Sequence, residues 1–323
     1  MRTELLMLTL LIPLTAGAQT RTTGPWWPNA EWGAMDQAGA SNRITPQKIV
    51  AALTLVKTGR TYEIGQVYER GMPMGGTRDF ALRLVPAIEP TGSNRVLYND
   101  EFVAAEIGQI GTQFDGLGHV GGEVRYADGS LHRVFYNGFT TEEMNAGTGL
   151  RQLGVEHVKP LITRGVLVDL PAYKNVQRLA GGYEVTLADV RGALARQGIA
   201  ESSISAGDAV FFRYGWAQLW STPAEYNAAA LPGIGLEVAR WLVERKVTVT
   251  GSDTSVTEVS PSPVQGAAIP VHQELMMKNG VFNIENMTFE ELAADRAYEF
   301  LFIATTLRFK GATGSPLRPL AIR

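Results

Sequence analysis

The chain has 323 residues, 45% apolar and 19% charged, with a net charge of −3 and no cysteine. That composition fits a compact folded protein and excludes disordered, collagen-like and coiled-coil chains. Without cysteine there are no thiolate zinc sites, iron–sulfur clusters, thiol nucleophiles or disulfides, so any metal must be held by histidine, carboxylate or amide oxygen. The absence of any run of like charge speaks against a nucleic-acid partner or an anionic membrane surface.

Arg2 and Glu4 precede an apolar stretch, Leu5 to Leu14, followed by Ala16-Gly17-Ala18. This is the layout of an export signal cleaved near Ala18, too short to span a bilayer, and it predicts a periplasmic or secreted protein. Residues 19–44 then form an arm rich in tryptophan (Trp26, Trp27, Trp32), for which packing onto the domain is the simpler expectation and a pocket wall the alternative. Residues 45–323 read as one α/β domain with a mixed central sheet.

Within that domain, Thr45-Pro46 opens a helix with a capping side chain and proline at its first position, ending before Gly59. Tyr62 to Tyr68 alternates like a strand. From Gly165 the rhythm is strand, helix, strand: Val166–Leu170 and Ala209–Arg213 as strands around a helix from Thr186 to Gln197 stopped by Gly198. A helix over Leu236–Lys246, a strand over Val247–Thr250, a helix over Pro270–Lys278 and a strand over Val281–Ile284 follow. A capping box at Thr288–Glu291 opens a short helix, and Tyr298–Phe309 reads as a closing strand.

The four histidines are His119, His132, His157 and His272, none paired locally, and no phosphate loop or nucleophile elbow is present. The unusual segment is Gly108–Gly122, with six glycines in fifteen positions. Glycine costs about 1 kcal/mol relative to alanine inside a helix, so this strip predicts sharply turning backbone or a close approach to a ligand. Its polar residues include Gln109, Gln113, Asp115 and His119, and in extended chain residues two apart share a face, which makes a half-site for a hard cation. Read singly, each has an ordinary alternative: a turn carboxylate for Asp115, backbone-bonding amides for Gln109 and Gln113, a hydrogen-bonded ring for His119.

The strip resembles the His-x-Gly-Thr-His-x-Asp-x-x-x-His motif of the cyclase-type metal-dependent hydrolases, a family that includes kynurenine formamidase and isatin hydrolase. The likeness continues through Lys159–Val168, Gly207-Asp208, Tyr214-Gly-Trp216, Gly251-Ser-Asp253, Pro270-Val-His272, Ile284-Glu-Asn286 and Gly311–Pro316. It implies the family's swivelling β/α/β-type fold and a homo-oligomer, dimer or tetramer, in which the tryptophan arm could reach a neighbouring subunit. It also implies that Gln109 and Gln113 stand where relatives have metal-binding histidines. Asp115, His272 and Glu285 then complete the metal set, with His119 as the catalytic histidine. Histidine's neutral form is abundant near pH 7, which suits a general base. For His272 the alternative is a packed core residue, and for Glu285 an exposed strand end. Two amides in place of imidazoles move the expected divalent cation from Zn²⁺ towards Mn²⁺ or Mg²⁺. The resemblance implies hydrolysis of a small amide, cyclic imide or lactone, with arylformamidase the nearest named activity. The alternatives are a secreted binding protein that has lost the metal, and a lyase or cyclase.

Overall fold

The computed structural model describes residues 23–323, so the export-signal expectation lies outside the described residues. The strands are β1 (Thr61–Glu63), β2 (Phe80–Pro86), β3 (Asn99–Ala105), β4 (Gln113–Asp115), β5 (Gly122–Arg125), β6 (Leu131–Val134), β7 (Leu161–Asp169) and β8 (Glu184–Val185). They continue with β9 (Ala209–Arg213), β10 (Gly233–Ile234), β11 (Val249–Ser252), β12 (Phe282–Glu285), β13 (Glu299–Ala304), β14 (Gly314–Pro316) and β15 (Leu320–Ile322). Nine of them form one mixed sheet in the order β1-β15-β13-β7-β9-β11-β12-β4-β14. Its centre, β7-β9-β11-β12, is parallel, and β4 and β13 join antiparallel on either side.

The central parallel strands β7 and β9 carry apolar runs because both of their faces are covered. Val166, Val168, Val210 and Phe212 point into a core shared with the helices Leu187–Arg196 and Leu236–Glu244. The intervening Leu167 and Phe211 point into the opposite core with Phe282, Ile284, Phe300 and Phe302. This period of two continues onto β4, where Phe114 belongs to the second core, so Gln113 and Asp115 face the other way.

The expected helices and central strands are present, with several differences. The first helix is Pro46–Leu53, and the chain then tightens into i→i+3 turns, Leu55 N–H to Ala52 and Val56 N–H to Leu53. The strand expected over Tyr62–Tyr68 stops at Glu63, because the backbone turns towards Met287 and Thr112 instead. The closing strand ends at Ala304, and Leu307 N–H already bonds Ser315. Thr288 makes no capping box; its N–H donates to Ile64, while the short helix is Glu290–Ala294. The segment from Pro270 is one helical turn, Pro270–His272, continuing as π-helix over Gln273–Lys278. Two hairpins, β2–β3 and β5–β6, were not expected. The tryptophans pack: Trp27 is buried with Val134 and Met277, edge-on to Trp26, and Arg43 stacks over Trp32. Among the described residues no helix is long and apolar enough to cross a membrane.

Candidate functional site

The glycine strip folds as a turn entering β4. Gly111 adopts φ +57°, and a Cβ at Gly108 would come within 2.8 Å of the Gly314 backbone. The glycines therefore let the strip pass close to a neighbouring strand. The close approach expected for a ligand is instead a backbone–backbone one.

Register builds the site. β12 lies antiparallel to β4 with Asn283 opposite Asp115 and Glu285 opposite Gln113. Cross-strand partners share a face, so all four polar side chains project together on the side away from Phe114 and Ile284. Every one of them is buried. The helix starting at Pro270 brings His272 to the same place: its Nε2 is 3.1 Å from Glu285 Oε1 and 3.8 Å from Asp115 Oδ2.

Six of the expected residues thus come together. Gln109 Nε2 donates to Asp115 Oδ1 at 2.9 Å, and Gln113 Nε2 donates to Glu285 Oε2 at 2.9 Å. His119, on the turn after β4, places Nε2 3.9 Å from Asp115 Oδ1, with its side chain 27% exposed. A cavity of about 320 Å³ opens beside it, walled by Glu123, Arg133, Phe135 and Thr141. His132 and His157 lie elsewhere; His132 stacks on Tyr126, and His157 is half exposed near Glu156.

Two members were not anticipated. Asn283 Nδ2 donates to Asp115 Oδ2 at 3.0 Å and to Glu285 Oε1 at 2.8 Å, tying the two carboxylates together. Its place two residues before Glu285 on one strand was the available signal. Glu258, buried at 3% exposure, accepts from Val271 N–H and His272 N–H at 3.1 Å and also contacts His272 Nδ1. Those backbone groups are free donors of the helix's first turn, and Pro270 ahead of them has no N–H to satisfy. With Nδ1–H turned to Glu258, Nε2 is left facing Asp115 and Glu285. No local pattern marks this role.

Electrostatically the site is three buried carboxylates, Asp115, Glu258 and Glu285, around one imidazole. Burial, reinforced by Asp115, pushes Glu285 up to about 7 despite the opposing pull of His272. Burial alone would depress His272, but Glu258 and Glu285 outweigh it and hold the ring well above the usual histidine range.

The residues fit a divalent cation. Ligand atoms of Asp115, His272 and Glu285 all lie within 4.8 Å of one another. Gln113 Oε1 and Asn283 Oδ1 are buried with no hydrogen-bond partner, so unclaimed oxygen lies beside the carboxylates. Unpaired buried acceptors are costly, and a cation is one way to satisfy them.

An α/β sheet carrying a carboxylate–histidine cluster at the edge of its parallel core defines the class. The chain belongs to the cyclase family, whose model, "Putative cyclase", matches residues 26–259. Among solved structures it is similar to one described as a novel cyclase, at 32% identity and TM-score 0.76, covering 90% of this chain and 98% of that one. Isatin hydrolase A from Ralstonia solanacearum shares the fold at 20% identity and TM-score 0.60, covering 87% and 98%. The isatin hydrolase A of Labrenzia aggregata, bound to benzyl benzoate, does so at 18% identity and TM-score 0.60, covering 85% and 97%. No curated protein sequence matches the chain.

Proposed function

We propose that this protein is an exported, metal-dependent hydrolase that opens a small amide, cyclic imide or lactone, with arylformamidase the nearest named activity. The observation that carries the reading is His119 standing between the cavity and Asp115, at the edge of the Asp115–His272–Glu285 cluster. The fold shared with isatin hydrolases supports the same reaction class.

Asp115, His272 and Glu285 would hold the cation, with Gln109, Gln113 and Asn283 turning amide oxygen towards it. Mn²⁺ suits this oxygen-rich set best, and Mg²⁺ or Zn²⁺ are the alternatives. When bound, such a cation polarises a carbonyl and lowers the pKa of water. His119 takes the proton of the attacking water as its oxygen bonds the carbonyl carbon. As the carbon–nitrogen or carbon–oxygen bond breaks, the same ring returns that proton to the leaving atom. A cavity of about 320 Å³ admits a ligand of one or two rings, with Phe135 available for stacking.

The test is a panel of amides, cyclic imides and lactones with protein supplied with Mn²⁺, Zn²⁺ or Mg²⁺. Hydrolysis that adds water and falls ~10²–10⁴-fold in His119→Ala is expected. No turnover, or full activity in His119→Ala, defeats the reading.

One observation favours a second reading, a metal-free binding protein: amide N–H groups from Gln109, Gln113 and Asn283 already solvate both carboxylates. Elemental analysis after metal exposure and desalting separates the two, since a binding protein of this kind retains no metal.

A further inference from the structure

Between β1 and β2 the chain makes a loop whose ends are fixed beside the cluster: Met72 and Phe80 are buried with Ile110, the residue after Gln109. Between those anchors Gly76 turns the backbone at φ +65°, and Arg78 N–H closes back on the Gly75 carbonyl at 3.5 Å. The turn aims a cation at the site. Arg78 Nη2 is 3.5 Å from Gln109 Oε1, and the Nε2 of the same amide donates to Asp115 Oδ1 at 2.9 Å. That Asp115 oxygen also lies 3.9 Å from His119 Nε2. Arg78 and His119 thus approach one carboxylate oxygen, the guanidinium through a single amide. Arg78 is exposed, and among the described residues no carboxylate forms an ion pair with it. Glu106 feels its charge but takes its hydrogen bond from Asp79 N–H at 2.9 Å. Arg133, in the wall of the His119 cavity, is different, because it faces Glu123 across β5–β6 and pairs with it at 4.0 Å.

We infer that Arg78 is a specificity residue that binds a free carboxylate on the substrate, so that the protein acts on amides or lactones carrying one carboxylate, of the N-acyl amino acid kind. The inference rests on the hydrolase reading and narrows its substrate class. A guanidinium offers five N–H donors in a planar fork, and here its side-chain bond among the described residues is one long contact with a neutral oxygen. A carboxylate takes two of those donors in parallel, with a shorter and stronger bond to each. The proposed function also asks Gln109 to turn its oxygen towards a cation. Gln109 would then present N–H to Arg78, and two donors cannot bond, so the guanidinium is released for another acceptor. Charge agrees with this. A divalent cation balances Asp115 and Glu285, which removes their repulsion of an anion, while Glu106 and Asp79 beside the guanidinium favour one negative charge over two. The cavity beside His119 takes the apolar body against Phe135, and Arg78 takes the carboxylate.

Calorimetry on full-length His119→Ala protein supplied with Mn²⁺ tests the inference, because binding is then read without turnover. The probes are N-benzoyl amino acids and the corresponding neutral amides. Each carboxylate is expected to bind ~10-fold or more tightly than its amide. Arg78→Gln, added to the same protein, should abolish that preference and leave affinity for the amides unchanged, a split that a merely structural role would not produce. Arg78→Lys should recover part of the preference, since lysine keeps the charge and loses the fork. Equal binding of carboxylates and amides, a preference that survives Arg78→Gln, or an equal loss for both probes would overturn it. Turnover by the wild type is scored apart. Hydrolysis with no preference for carboxylates overturns this inference alone, whereas a preference in binding with no hydrolysis upholds the carboxylate site and defeats the hydrolase reading.

Discussion

Gln113 and Glu285 face each other across β4 and β12, and the Gln113 amide donates to the Glu285 carboxylate at 2.9 Å in a fully buried setting. That bond offsets part of the cost of burying two carboxylates side by side. Truncation in Gln113→Ala leaves Glu285 one donor short, and we expect metal-free protein to lose about 1–3 kcal/mol in urea unfolding. Millimolar Mn²⁺ should recover part of the loss, because a bound ligand stabilises only the folded state.

Glu258 predicts a different outcome. It fixes the His272 ring and caps the helix that carries it, yet stands one residue behind the cluster. Partners of metal-binding histidines typically contribute 10–100-fold in affinity. Glu258→Gln, which keeps one of the two oxygens that accept from the Val271 and His272 N–H groups, should weaken Mn²⁺ binding by about that factor in calorimetry while the circular dichroism spectrum is unchanged. Unaltered affinity would assign Glu258 to helix capping alone.

Metal loading should release protons. In the metal-free site the flanking carboxylates hold His272 protonated, and Glu285 sits near 7. A cation takes the imidazole nitrogen and the carboxylate in their deprotonated forms. Near pH 7, calorimetric titrations in buffers of different ionisation enthalpy should therefore report net proton release per metal bound. Zero net exchange would argue against His272 or Glu285 as ligands.

Asp253 gives a pH signature independent of the site. Its carboxylate accepts the N–H groups of Tyr214, Trp216 and Ala217, which joins two segments of the family likeness. Burial nevertheless raises its pKa from 3.8 to about 6. Between those values the folded state binds the extra proton, so this contribution is full below about pH 4 and is lost as pH rises through 6. Relative to Asp253→Asn, the wild type should lose on the order of 3 kcal/mol over that window, measured by denaturant unfolding at each pH. A difference that does not change with pH would contradict the assignment.

The sequence was informative where chemistry repeats locally. Asp115, Gln113 and His119 could be read together because one short strip carries them, and Glu285 because a carboxylate interrupts an apolar run. The central strands β7 and β9 were legible as apolar runs for the same reason they are buried. Asn283 and Glu258 were not read, for different reasons. Asn283 looks like any polar residue on a strand until β4 is known to lie beside it. Glu258 meets His272 through a loop whose path is set by tertiary contacts. The β2–β3 hairpin escaped notice because both of its faces mix apolar and charged residues, leaving no clean alternation.

The central claim is that Asp115, His272 and Glu285 hold a divalent cation with amide oxygen completing the set. Anomalous diffraction from Mn²⁺-soaked crystals tests it most directly. The account predicts a peak within coordination distance of all three residues, with Gln109 or Gln113 turned so that its oxygen approaches the ion. The absence of a peak there, with Gln109 Nε2 and Gln113 Nε2 still donating to Asp115 and Glu285, would contradict it.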